Sequence, residues 1–577
     1  MMMLRHKWLA GVLALSIALP LLPQHAYMAP VNPTVAAVPG GWAAGQTPLN
    51  LSPDKPVLLF VHGLTSQAKI WYEDNDMYQY AYNNGYQTAF INMYDVTGTP
   101  EDMWKDGELL AAKIKEISQH YGGKKIVIIA HSKGGVDTQA ALVRYNAYPY
   151  VSRVITLSTP HHGSELADLA YSSWAGWLAE LVGSQNPGTS SLQTAYMQYF
   201  RSEMDKDPDV NKVPFYTLSG NKWSGSNKAS YTFGGAYLSV FGSNDGVVTT
   251  ASALLPGATL IRSGPWNHAT VRTGSYTFNL FQPYIGTVSG AAASAAPAAS
   301  SLSASRTTVN SVSTNVYGDS TVAGNVYETP TDQPTTATDS TATALASGSS
   351  SSDATADAPL PNGHLYVRGG QSNGTASEAL TVEDGVQSIT LDWISNKPLR
   401  ELQLIAPDGK RQHITVQSAQ DDNMFKGAYH HIARLEQPAV GNWQVRAVGN
   451  HSGAYLMTAV YGSSASNASL HASISGNGTL DMKLQTEGLR SERTTANYTV
   501  DYYDADGKKI APPSTAQRSL IAGQMEASVP TPTAGTPSNY VITTDINGMT
   551  AAGKPYKRTL IKSVYVDANG QTYSESE

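Results

Sequence analysis

Three side chains suffice to cut an ester at neutral pH. A hydroxyl attacks, an imidazole takes its proton, and a carboxylate orients the imidazole. Ser132 is the candidate for the first role. It sits in Ala130-His131-Ser132-Lys133-Gly134-Gly135, after the apolar run Lys125–Ile129 and before the helix-forming, amphipathic stretch Val136–Tyr145. The β-branched run reads as a buried strand. The small residues around the serine read as a tight strand-to-helix corner that lifts one hydroxyl out of a sheet, as in a G-x-S-x-G nucleophile elbow. Ala130 stands in place of the first glycine, and one methyl group still fits such a corner. The plain alternative is a serine N-cap in a Gly-rich turn.

Two partners follow downstream. Asp245 lies in Ser243-Asn244-Asp245-Gly246-Val247-Val248, and His268 ends Pro265-Trp266-Asn267-His268. Both fall where loops at the carboxyl ends of late strands should lie, which suits an orienting acid and a base. Taken alone, an Asp-Gly or Asn-His pair is ordinary turn chemistry. Asp95, after an earlier strand, competes for the acid role. His131 should point away from its neighbour's hydroxyl, and His161-His162 reads as loop or substrate wall. The negative oxygen that develops on the substrate needs prepositioned N–H donors. The backbone N–H groups of Leu64 and Lys133 are assigned to it, with Gly63 required by the turn. His62 is read as a structural loop histidine and not as the base.

The surrounding pattern says what must hold these groups. Strand-like runs alternate with helical stretches over residues 48–284, among them Pro56–Val61, Gln87–Ile91, Arg153–Leu157, Val213–Leu218 and Ala258–Ile261, with Met103–His120 a helix. That alternation implies a mostly parallel sheet flanked by helices. Residues 285–361 turn to Ser, Thr, Ala and Pro, the composition of a disordered linker; a small echo pairs Asn315-Val316-Tyr317 with Asn325-Val326-Tyr327. Short period-two strands then fill residues 362–464, a β-sandwich, and residues 466–575, an immunoglobulin-like sandwich. Trp393 and Trp443 lie in alternating strands and read as core.

Composition limits the function. The chain of 577 residues carries a net charge of −7, which gives no basic footprint for nucleic acid. Residues 1–29 read as a signal peptide, with Arg5 and Lys7 ahead of an apolar stretch shorter than the roughly 20 residues of a membrane span. No later stretch is long and apolar enough to span, so the expected location is secreted and extracellular. There is no cysteine. Thiol catalysis, thiolate zinc sites and iron–sulfur chemistry are thereby excluded.

The motifs His62-Gly63-Leu64, Ala130–Gly135, Ser158–Asp168, Asn244–Val248 and Trp266–His268 occur in that order. Together they resemble secreted bacterial triacylglycerol lipases and related esterases of the α/β-hydrolase superfamily, over about Pro56 to Tyr284. The resemblance implies an α/β hydrolase fold, the chain order serine, acid, histidine, and ester hydrolysis through an acyl-enzyme at Ser132. It implies an ester or lipid substrate and no cofactor. Many relatives hold a structural calcium through an acidic residue between the catalytic acid and histidine. Gly246 to Asn267 contains no Asp or Glu, so the sequence does not support that site. The phrase Pro438–Trp443 resembles C-terminal β-domains of secreted proteases, and a polymer or cell-surface ligand is the expectation for the two β units. The apolar segment after Ser164, with Leu166, Leu169, Trp174, Trp177, Leu178, Leu181 and Val182, is read as a lid or as a packed cap helix. A solid-polyester depolymerase and a non-catalytic surface-binding protein are the alternative functions.

Overall fold

The computed structural model describes residues 29–224, 228–287, 357, 359–360, 364–421, 425–464, 466–475, 478–521, 523–532 and 536–574. The signal peptide and almost all of the linker expected from the sequence lie outside these residues.

The first unit is a seven-stranded sheet in the order β1-β3-β2-β4-β5-β6-β7. Its strands are β1 (Trp42–Ala44), β2 (Val57–Val61), β3 (Thr88–Ile91), β4 (Ile126–His131), β5 (Val151–Leu157), β6 (Phe215–Gly220) and β7 (Thr259–Gly264). All neighbours are parallel except the β1–β3 pair. The sheet thus begins earlier than Pro48, with a short antiparallel edge strand. β2 and β4 are buried along their whole length, which is why they read as unbroken apolar runs. Chain order reverses between them: β2 leads outward to β3, whereas β4 leads the other way to β5. A crevice opens at such a switch point beyond the carboxyl ends of the strands.

Helices α1 (Met77–Asn83), α2 (Met103–His120), α3 (Lys133–Val143), α4 (Glu165–Ala170), α5 (Gly176–Leu181), α6 (Pro187–Ser190), α7 (Thr194–Met204), α8 (Ala229–Leu238) and α9 (Gly274–Ile285) belong to this unit. Asp102 caps α2 by accepting the N–H groups of Trp104 and Lys105. Helices α4 to α6 form a cap after β5.

The second unit is one seven-stranded sheet: β8 (His364–Val382), β9 (Ser388–Ser395), β10 (Leu399–Ile405), β11 (Arg411–Gln412), β12 (Gln417–Gln420), β13 (Tyr429–Glu436) and β14 (Gly441–Gly462). The long strands β8 and β14 pair along their length with an irregularity between Val448 and Ser452. One half of β14 pairs with β10 and the other with β9, so a single sheet supplies both walls around one core. Trp393 and Trp443 lie in that core. The third unit is a sandwich of a three-stranded sheet, β15 (Asn467–Ser475), β16 (Thr479–Glu487) and β19 (Gln524–Pro530), and a five-stranded sheet. The latter comprises β17 (Thr495–Asp504), β18 (Lys509–Ser519), β20 (Ser538–Met549), β21 (Pro555–Val566) and β22 (Thr572–Tyr573).

These β units are docked on the first unit. One apolar cluster joins Leu166, Leu169 and Leu178 of the cap and Phe233 and Tyr237 of α8 to Val367, Ile394, Phe425 and Leu456 of the second unit and Tyr503 and Val541 of the third. Polar contacts ring it. Ser173 donates its N–H to Thr543 at 3.0 Å and its hydroxyl to Asp501 at 2.6 Å. Trp174 Nε1–H donates to Asp545 at 3.0 Å, and the Arg368 guanidinium lies over the Trp174 ring. The backbone N–H groups of Trp223 and Ser224 donate to Asp357 at 3.0 and 2.7 Å. A freely tethered pair of modules was the sequence expectation. Instead much of the apolar surface of the cap is covered by protein, while Trp177 and Leu181 stay exposed.

Candidate active site

Ser132 occupies the corner between β4 and α3. Its φ of 55° and ψ of −135° place it in a conformation that non-glycine residues rarely adopt. The corner is held by Ser132 N–H donating to Leu157 O at 3.1 Å and by Gly135 N–H donating to Ser132 O at 3.0 Å. Strain of this kind persists only where the surroundings over-determine it. Close packing does so: a Cβ on Gly134 would lie 2.3 Å from the carbonyl oxygen of His62.

Asp245 and His268 come together over the carboxyl edge of the sheet. Asp245 Oδ1 accepts the N–H groups of Val247 and Val248 at 2.9 and 2.8 Å. This fixes the carboxylate and leaves Oδ2 for His268 Nδ1 at 2.8 Å. The backbone closes the same pair, with His268 N–H donating to Asp245 O at 3.0 Å. With its Nδ1 proton on the carboxylate, the imidazole has Nε2 left as a base. Ser132 and His268 line one cavity of about 270 Å³, together with Gly63, Leu64, Pro160, Ala167, Leu192 and Tyr231.

Leu64 follows β2 in the loop beside Ser132. Lys133 opens α3, where the first N–H groups have no carbonyl of their own helix to donate to. Gly63 passes so close that a Cβ there would sit 2.5 Å from Ser132 Cβ and 3.0 Å from Oγ. His62 is fully buried. Burial holds its imidazole down to about 4, so it is neutral; Nε2 accepts Met93 N–H at 3.0 Å and Nδ1–H donates to Gly63 O at 2.9 Å.

The competitors lie elsewhere. Asp95 is turned to Thr65, whose N–H it accepts at 2.6 Å. His161 is buried with Nε2 3.4 Å from Thr156 Oγ1. His131 does more than the sequence reading gave it. Its Nε2 lies 2.7 Å from His268 O, and its ring sits 4.6 Å from the His268 ring, so it braces the base from behind. Burial, with His268 and Arg272 nearby, keeps His131 well below its ordinary value and therefore neutral. Sequence reasoning also missed the Lys133 side chain, which is enclosed between Asp106 and Asp137. The i, i+4 spacing of Lys133 and Asp137 in an otherwise small and apolar segment was the available signal. Among the described residues no group of three or more His, Cys, Asp or Glu is placed to hold a metal ion.

Comparison with known proteins agrees with this architecture. The family described as alpha/beta hydrolase fold matches residues 56–249. A triacylglycerol lipase of Burkholderia plantarii is 31% identical over 139 residues, 23% of this chain and 37% of that protein. One from Pseudarthrobacter phenanthrenivorans is 33% identical over 117 residues, 20% of this chain and 35% of that protein. The chain therefore spans little more than a third of the curated relatives it matches. A Bacillus licheniformis lipase solved in its propeptide form matches 93% of this chain and 100% of its own, at 31% identity and a TM-score of 0.69.

Proposed function

The chain belongs to the α/β hydrolase fold family, and from that premise we propose that it is a secreted serine carboxyl-ester hydrolase of the lipase/esterase type, acting through an acyl-enzyme at Ser132. The observation that carries the reading is the Asp245–His268 pair at 2.8 Å opening on the cavity that Ser132 lines. Ser132 Oγ attacks the ester carbonyl while His268 Nε2 takes its proton. Asp245 stabilises the imidazolium, and the N–H groups of Leu64 and Lys133 receive the oxyanion. Collapse expels the alcohol with the proton from His268. Water, activated by the same imidazole, then releases the acid. No step calls on a cofactor. Ser132→Ala in the full chain, assayed on p-nitrophenyl butyrate, should lose activity by about 10⁴-fold or more. Retained hydrolysis would remove Ser132 as the nucleophile, and an inactive wild type would favour the non-catalytic surface-binding alternative.

The docking of the β units supports a second element of the reading. We propose that residues 362–575 are a pro-segment that holds the cap over the cavity, as the propeptide form of the Bacillus licheniformis lipase suggests. The cavity of about 270 Å³ suits a short acyl group. Long-chain lipid esters require the cap to move. Proteolysis between residues 288 and 356 should raise the rate on long-chain esters more than that on butyrate. An unchanged ratio, with residues 362–577 retained on polyester or cell walls, would favour the polymer-binding expectation instead.

A further inference from the structure

Behind the oxyanion turn lies a buried charge cluster that the steps above do not use. The Lys133 ammonium, fully enclosed, pairs with Asp106 Oδ2 at 2.5 Å and with Asp137 Oδ1 at 2.8 Å. Asp106 Oδ1 accepts Tyr94 N–H at 3.2 Å, on the loop after β3. The next residue of that loop, Asp95, gives its Oδ1 to Thr65 N–H at 2.6 Å. Thr65 needs such a hold, because its φ of 54° is left-handed, a conformation that a β-branched residue avoids. On the other side of Leu64, His62 Nδ1–H grips Gly63 O. The oxyanion turn is thus clamped at the residues before and after its donor.

We propose that Asp95 is a positioning residue for the oxyanion hole: its carboxylate fixes Thr65, and so the Leu64 N–H, with the Lys133 ammonium as the countercharge that ties this turn to the nucleophile elbow. The inference rests on the serine-hydrolase reading of the site. A buried carboxylate requires a countercharge, and Lys133 brings one from the residue that also supplies the second donor. Asp106 and Asp137 contact that ammonium directly, and Asp95 feels it through space. Burial pushes Asp137 well up, and Asp95 up to about 7, against the pull of Lys133 and with the like charge of Asp106 adding to the push on both. Burial also opposes the charge on Lys133, but Asp106, Asp137 and Asp95 outweigh it and hold the ammonium above the usual lysine range. His62, the remaining titratable group at the turn, is neutral. Asp95 therefore gains its charge near neutral pH. The charged acceptor makes the stronger bond to Thr65 N–H, so the turn tightens as pH rises through about 7.

The test uses the full chain and p-nitrophenyl butyrate from pH 5 to 9. Each rate is divided by the number of Ser132 sites counted with a p-nitrophenyl phosphonate. In Asp95→Asn, kcat per site should fall about tenfold with KM nearly unchanged, less than the loss of a whole oxyanion donor. Its acid limb should move to lower pH. A merely structural Asp95 would reduce the count of sites and leave the per-site pH profile as in wild type, and that result overturns the proposal. A triple variant, Lys133→Met with Asp106→Asn and Asp137→Asn, removes the countercharge without leaving its partners unpaired. Its acid limb should move to higher pH, and an unmoved limb likewise overturns the proposal. Ser132→Ala run alongside separates the two readings: if it hydrolyses like wild type, the serine mechanism fails and the positioning role falls with it, whereas an inactive Ser132→Ala beside an unaltered per-site profile in Asp95→Asn overturns the positioning role alone.

Discussion

Gly63 leaves no room for a side chain, since its Cβ would overlap Ser132 Cβ at 2.5 Å. Gly63→Ala should push the nucleophile off its line of attack. Misplacement by about 1 Å can cost on the order of 10²-fold. The expected result is a loss of that size in kcat with the thermal unfolding midpoint nearly kept, measured side by side. Asp245→Asn leaves shape intact but stabilises the wrong tautomer of His268, and kcat should drop about 10⁴-fold. Candidates of this kind can be picked from the sequence because the proposed chemistry needs fixed types in a fixed order. Ser132, Asp245 and His268 could be named without a fold. The role of Asp95 could not be, because an acid that serves Thr65 through space has the same sequence surroundings as one that serves a histidine.

At the scale of elements, the cap is where the β units dock. Asp545 accepts from Trp174 Nε1, Arg368 and Thr559 at once, and so joins the cap to both β units. Asp545→Ala should loosen the cap and raise the ratio of long-chain to butyrate hydrolysis. An unchanged ratio would show that this contact does not restrain the cap. Leu178 is fully buried in the shared cluster, and Leu178→Ala should cost about 2–5 kcal/mol in denaturant unfolding. The same packing explains what the sequence hid. Helix α2 was legible over its full length, Met103–His120, because one face is apolar and the other wet. Helix α8 carries no such signal, because it is buried nearly all round, between the cap and the β units. A helix without a wet face has no readable period. β1 was missed for a different reason: three residues, none of them buried, make a strand only through pairing with β3.

At the scale of the whole molecule, the docked face contains a titratable group. His430 of β13 is buried against the Phe233 ring of α8 at 5.3 Å, with Nδ1 on Asp392 at 2.5 Å and Nε2 on Asp421 at 2.9 Å. Burial opposes its charge, but the two carboxylates outweigh it and hold the imidazolium up to about 10. A histidine raised in the folded state contributes stability that is complete below its unfolded value, near 6.5, and is lost as pH climbs through about 10. Unfolding midpoints should therefore fall between these limits, and His430→Gln should flatten that fall; equal slopes in both proteins would exclude His430 as the cause.

The contacts that Asp357, Asp501, Thr543 and Asp545 make with the first unit are all non-covalent, in a chain without cysteine. While the chain is whole, the β units meet the cap as an intramolecular contact that does not depend on protein concentration. On the pro-segment proposal, a single cut between residues 288 and 356 makes that contact bimolecular, so that it depends on the protein concentration. Release then becomes a matter of dilution: cleaved protein should stay masked in a concentrated stock and unmask on dilution.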